Sequence, residues 1–137
     1  MSLEATLAPH APKAVAALRV MTALLFLQHG LAKMFHVPKV AMFDGMNLLS
    51  GQIFSLMGLA ALLEIFGSLL ILVGLFTRPV AFVLSGFMAV AYFMAHAPSG
   101  FFPILNGGEL AVLYSFVFLA FVFTGPGAYA LDGKRGA

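Results

Sequence analysis

Four apolar stretches, each near the length needed to cross a lipid bilayer, leave this chain few ways to fold. They run from about 14 to 35, 53 to 76, 79 to 95 and 107 to 124. A spanning helix takes about 20 apolar residues, with roughly 17–25 tolerated, so the third stretch is short but sufficient. Strict two-residue alternation, the mark of a membrane β-barrel, is absent from all four. Composition agrees: 62% of the 137 residues are hydrophobic and 9% are charged, against about 45–50% and roughly 25% in soluble domains. An apolar excess of this size in so short a chain is buried only by lipid. The sequence therefore predicts a single all-α domain over 1–137, an integral membrane four-helix bundle. The first stretch is too long for the apolar region of a cleaved leader, and "HGLAKMFH" has no small-residue cleavage site, so it is expected to remain as a span.

The chain has no cysteine, which excludes disulfides, thiol chemistry and iron–sulfur ligation within it. Its formal charge of +2 is scattered, which reads as a topology signal and not as a nucleic-acid surface. With four spans both termini share a side. That side holds Lys13, Arg19, Arg78, Lys134 and Arg135, against Lys33 and Lys39 opposite. Short basic loops stay in the cytoplasm, so both termini are expected there. Arg19 and Arg78 are read as snorkelling to the cytoplasmic headgroups. "FTRPVA" predicts a tight hairpin between spans two and three, with Pro79 at the first position of the third. The connections 37–52 and 96–109 are longer and rich in Pro and Gly. The tail "GPGAYALDGKRGA" reads as a frayed end.

The informative residues are the polar ones inside the oil. Arg19, Thr22, Phe26, His29, Lys33 and His36 recur at steps of three and four, which places them on one helix face. Glu64 lies near the middle of span two, where an ionised carboxylate costs about 2.5–3.5 kcal/mol, so it must be paired or protonated. His96 closes span three, and Asn106 and Glu109 open span four. Counting depth along antiparallel spans gathers His29, Lys33, His96, Asn106 and Glu109 toward the outer end, with Glu64 deeper. This predicts a polar pocket in the outer half of the bundle, since ionisable groups inside a bilayer are functional by default. Each residue also has a structural reading. Lys33 can snorkel; His29 can hydrogen-bond a backbone carbonyl. Glu64 can lock packing with Lys33 or Tyr92, and Glu109 can complement a helix N-terminus. Gly58, Gly67, Gly74 and Gly86 are read as sites of close helix approach. Phe26, Phe87, Phe93 and Phe116 are candidates for a flat ligand slot or for core.

"RVMTALLFLQHGLAKMF", "LLEIFGSLLILVGLFTRPVA" and "HAPSGFFPILNGGELAVLYSFVFLAFVFTGPGAYALDG", in that order and spacing, resemble the DoxX family of small bacterial membrane proteins. The likeness runs from about 19 to 132. It is carried most specifically by "HG" followed by Lys33, by Glu64 three residues before Gly67, and by "NGGE" followed by "LY". The resemblance implies a four-span inner-membrane protein that works as a redox-related subunit, with some relatives linked to quinone or quinol chemistry.

Three functions follow as expectations. The first is a quinone- or quinol-linked subunit, with His29 or His96 bonding a quinone oxygen, Glu64 or Glu109 passing protons, and protein partners delivering electrons. The second is a small proton-coupled transporter titrating at Glu64, although no inverted repeat is visible. The third is a non-catalytic scaffold anchoring a peripheral enzyme. No metal is expected: His29, His96 and Glu109 lack diagnostic ligand spacing.

Overall fold

The computed structural model describes residues 1–134, with side chains as far as Gly133, and has no strand among the described residues. Arg135 and the side chain of Lys134, both counted in the charge asymmetry, lie outside the described residues. The helices are α1 (Leu3–Leu7), α2 (Ala11–Phe35), α3 (Leu56–Val73), α4 (Thr77–Ala95), α5 (Pro103–Asn106), α6 (Glu109–Thr124) and α7 (Leu131–Lys134). A 3₁₀ turn joins α1 to α2, giving an apolar rod over Leu3–Phe35. This rod, Leu56–Val73 and Thr77–Ser99 are long and apolar enough to cross a membrane, and α6 is a shorter apolar helix of 16 residues.

Local chemistry sets the helix ends. Ser2 and Ser55 cap α1 and α3, their hydroxyls accepting from the amides of Ala5 and Gly58, which satisfies donors that a helix start leaves unpaired. Gly74 stops α3 at φ 68°, a left-handed conformation open to glycine. The amides of Gly74 and Leu75 then donate back to Ile71 and Leu70, closing the last turn. The chain reverses through Leu75 and Phe76 into α4, with Pro79 as its third residue, where a missing amide proton breaks no helical bond.

α2 lies along α3, and α4 along α6, with α3 also against α4 and α2 against α6. Each helix sends large side chains inward: Phe26 from α2, Ile71 from α3, Leu84 from α4, Phe118 and Phe121 from α6 are all fully buried. Phe26 meets the rings of Tyr114 and Phe118 at 5.1 Å each. It is therefore core, and the flat slot does not form: Phe93 and Phe116 point outward, 69% and 65% exposed. Exposed leucines and phenylalanines cover the outward faces, as expected where the solvent is hydrocarbon. Gly67 lies against the Leu84 side chain, where a Cβ would come within 2.8 Å, whereas Gly86 faces open space. Close approach is thus confined to one glycine of that α3–α4 pair.

The end carrying both termini corrects two expectations. Arg19 does not snorkel. It is 2% exposed, and its guanidinium donates to the carbonyls of Pro126, Ala128 and Tyr129. Nor is the tail frayed over its described part. The Ala128 amide bonds Pro12, the Asp132 amide bonds Gly74, and the Asp132 carboxylate accepts from the amides of Phe76 at 2.8 Å and Thr77 at 2.9 Å. Asp132 thereby caps α4 from far along the chain. Arg78 completes the closure by donating to Val122 and Phe123 at the end of α6, where a cation also complements the helix dipole. A buried guanidinium has five donors to satisfy and a bilayer offers no acceptors; the tail carbonyls take three bonds, while Nε has no partner among the described residues.

Candidate functional site

At the opposite, loop end, Lys33 and Glu64 meet. The Lys33 Nζ donates to Glu64 Oε1 at 2.6 Å, and the two side chains are 12% and 3% exposed. Two features of the sequence produce this contact. Helix side chains lean toward the helix N-terminus, so Lys33, near the end of α2, reaches back into the protein and not out to headgroups. Gly30, one turn below, lets α3 come close: a Cβ there would lie 2.7 Å from Ile65 Cγ1 and 3.0 Å from both the Ala61 carbonyl oxygen and Glu64 Cβ. Glu64 sits eight residues into α3, about 12 Å along its axis. Without the ammonium its charge would be isolated in a dry interior, where desolvation costs several kcal/mol per ion.

The connection after α2 covers the pair. His36 ends α2 with φ 57°, and its ring Nε2 hydrogen-bonds the Met46 carbonyl at 2.9 Å. The loop folds inward to bury Phe43 and Leu48, and Lys33 Nζ lies 5.8 Å from the Phe43 ring centroid. That distance permits a cation–π contact. Phe43 is the residue of this site that sequence reasoning missed. It sits in a loop with no periodicity, and its only signal was an apolar side chain near two turn formers.

Glu64 spends one oxygen on Lys33. The other, Oε2, is buried with no hydrogen-bond partner among the described residues, and so is the Ser68 hydroxyl one turn further along α3. His29, one turn from Lys33 on α2, is half-buried and stands edge-on to Tyr114, with ring centroids 6.1 Å apart.

The six residues expected to share one pocket fall into three groups. Lys33 and Glu64 form the pair, with His29 beside it. His96 and Asn106 form a clasp over the start of α6. His96 Nδ1 lies 3.1 Å from the Asn106 carbonyl oxygen; the Asn106 amide donates to the Tyr92 hydroxyl at 3.1 Å and to the Gly100 carbonyl at 2.9 Å. Asn106 Oδ1 accepts from the Gly108 amide. Every polar atom of Asn106 is used, and the clasp holds the loop 96–108 in shape. Glu109 belongs to neither group. It is exposed and borders a cleft of about 560 Å³ with Pro103, Val112, Leu113 and Phe116, on the outward face of α6. Among the described residues, no group of three or more His, Asp or Glu side chains is placed to hold a metal ion.

A DoxX family profile matches residues 14–97. An uncharacterized protein of Haemophilus influenzae is 48% identical over 126 residues, covering 90% of this chain and 91% of its own. No solved structure matches.

Proposed function

The chain belongs to the DoxX family of membrane proteins, and from that premise we propose that it is a four-span inner-membrane subunit of a redox-related, quinone- or quinol-linked complex. In this reading α2, α3, α4 and α6 form the four-helix bundle. The shared core of Phe26, Ile71, Leu84 and Phe118 supports counting α6 as a span. Both termini lie in the cytoplasm, where Lys13 and Arg78 face Lys39 at the other end.

The observation that carries the reading is the Lys33–Glu64 pair with a spare carboxylate oxygen. Quinone reduction consumes two electrons and two protons, and quinol oxidation returns them. A protein partner supplies or accepts the electrons in this reading, since the sequence has no cysteine to ligate an iron–sulfur cluster. The protons require groups that change charge inside the membrane at little cost. The Lys33–Glu64 pair relays them: a proton that the pair gives up toward the ring is replaced from the aqueous side, so the pair returns to its starting charge after each transfer. His29 and Tyr114 extend the same polar face.

We place the ring at the Glu109 cleft, which lies apart from the Lys33–Glu64 pair. That cleft opens toward lipid, is lined by apolar side chains, and has a volume of about 560 Å³, within the roughly 300–1,000 Å³ typical of small-molecule sites. Glu109 supplies one acceptor for a quinol hydroxyl at the start of α6. The Glu109 side chain is exposed and takes part in no side-chain bond among the described residues, so Glu109→Gln is expected to leave the fold intact.

The test is quinone per chain, measured by mass spectrometry on solvent extracts of gently purified protein. Wild type is expected to carry quinone near one per chain, and Glu109→Gln to lose most of it at unchanged melting temperature. Quinone at the level of bulk membrane in both proteins would reject the redox reading in favour of the scaffold.

A further inference from the structure

Two buried oxygens on α3 lack partners, and they are neighbours. Glu64 and Ser68 are four residues apart on one helix, so their Cβ atoms stack about 5–6 Å apart on the same face. Glu64 Oε2 and Ser68 Oγ are both buried with no hydrogen bond among the described residues. The two residues are 3% and 1% exposed. Leaving either oxygen unsatisfied is costly, and in a membrane helix no solvent compensates.

We infer that Glu64 Oε2 and Ser68 Oγ together bind one internal water molecule. The inference rests on the burial of these two oxygens and stands apart from the redox reading.

The chemistry selects water over other occupants. Glu64 Oε2 only accepts, so the ligand must present an O–H or N–H. Lys33 already neutralises the carboxylate, which removes the attraction for a second cation. Two oxygens are also far fewer than the six to eight ligands a calcium ion takes, or the six of magnesium. Water meets these three conditions. It donates to the carboxylate, bonds the serine hydroxyl, and is the usual occupant of a buried polar pair.

The water gives Ser68 a role at a distance. Lys33 fixes one oxygen of Glu64, and the water, anchored by Ser68, fixes the other. The carboxylate plane is then set from both sides. Ser68 is a positioning residue for Glu64, acting through the bound molecule.

Ser68→Ala tests this with an outcome whose sign is informative. Alanine is the better helix former, and deleting a hydroxyl that bonds nothing is stabilising. A dry site therefore predicts a raised melting temperature for Ser68→Ala in the full chain. A shared water predicts a fall of about 4 °C, as two hydrogen bonds are lost. The second readout is infrared. The difference spectrum of wild type minus Ser68→Ala should contain an O–H stretching band that moves to lower wavenumber in H₂¹⁸O. A melting temperature that stays level or rises overturns the inference. So does a difference spectrum with no ¹⁸O-sensitive band, which would assign the lost bonds to something other than water.

Discussion

The two ends of the molecule bury a cation in opposite ways. At the termini end Arg19 sends its guanidinium to three backbone carbonyls of the tail, with Asp132 and Arg78 tying the neighbouring helix ends. At the loop end Lys33 meets a single carboxylate, whose other oxygen has no protein partner among the described residues and falls to the water inferred beside Ser68. The first arrangement consumes fixed acceptors that have no protonation states to exchange, so its product is rigidity. The second joins two groups that can each gain or lose a proton. A buried charge bonded to backbone is a staple; a buried charge bonded to another titratable side chain is a site where chemistry can occur.

Substitutions at each end should separate these roles. The largest effect is expected from Arg19→Ala, which strands three carbonyls and unties the tail. We expect a loss of about 3–5 kcal/mol, read as collapse of the melting transition, with Arg19→Lys restoring little because one ammonium cannot replace a planar fork. Lys33→Ala comes next. It leaves Glu64 buried and unpaired, and stability should fall by about 3 kcal/mol. The Lys33→Met, Glu64→Gln double variant should recover most of that loss, since removing both charges removes the desolvation cost as well. The backbone carbonyls that Arg19 bonds cannot be removed by a side-chain substitution. A smaller effect is expected from Gly30→Ala. The added Cβ would press on Ile65 and the α3 backbone, parting the helices and costing about 1–3 kcal/mol. The smallest is Asp132→Asn, which keeps one acceptor for the α4 amides and should cost about 1 kcal/mol or less.

How far the sequence foretold each end follows from the range of the interactions. Apolar stretches announced the helices, because a helix that faces lipid must be oily for most of its length. Steps of three and four placed His29 and Lys33 on one face, and the depth of Glu64 demanded a partner, with Lys33 already named among the choices. Local pattern carried no further than that. Whether Lys33 turned back or snorkelled depended on Gly30 admitting α3, which is a contact between helices. The tail was misread because Asp132 caps a helix that begins 55 residues earlier, and no local pattern records such a bond. A signal did exist in Arg19, a cation within a long apolar run that had to find acceptors somewhere. The clasp of His96 and Asn106 is similar: both stood out as polar residues at span ends, but their bonds go to loop backbone and to Tyr92 and not toward Glu64.

The central claim is that the Lys33–Glu64 pair serves chemistry and not only packing. The most direct measurement takes the Lys33→Met, Glu64→Gln double variant, reconstitutes it beside wild type, and records melting temperature and quinone-linked proton exchange on the same preparations. The account predicts a melting temperature within a few degrees of wild type and proton exchange reduced to background. Proton exchange that persists at the wild-type level in the folded double variant would contradict it, and the pair would then be a second staple like Arg19.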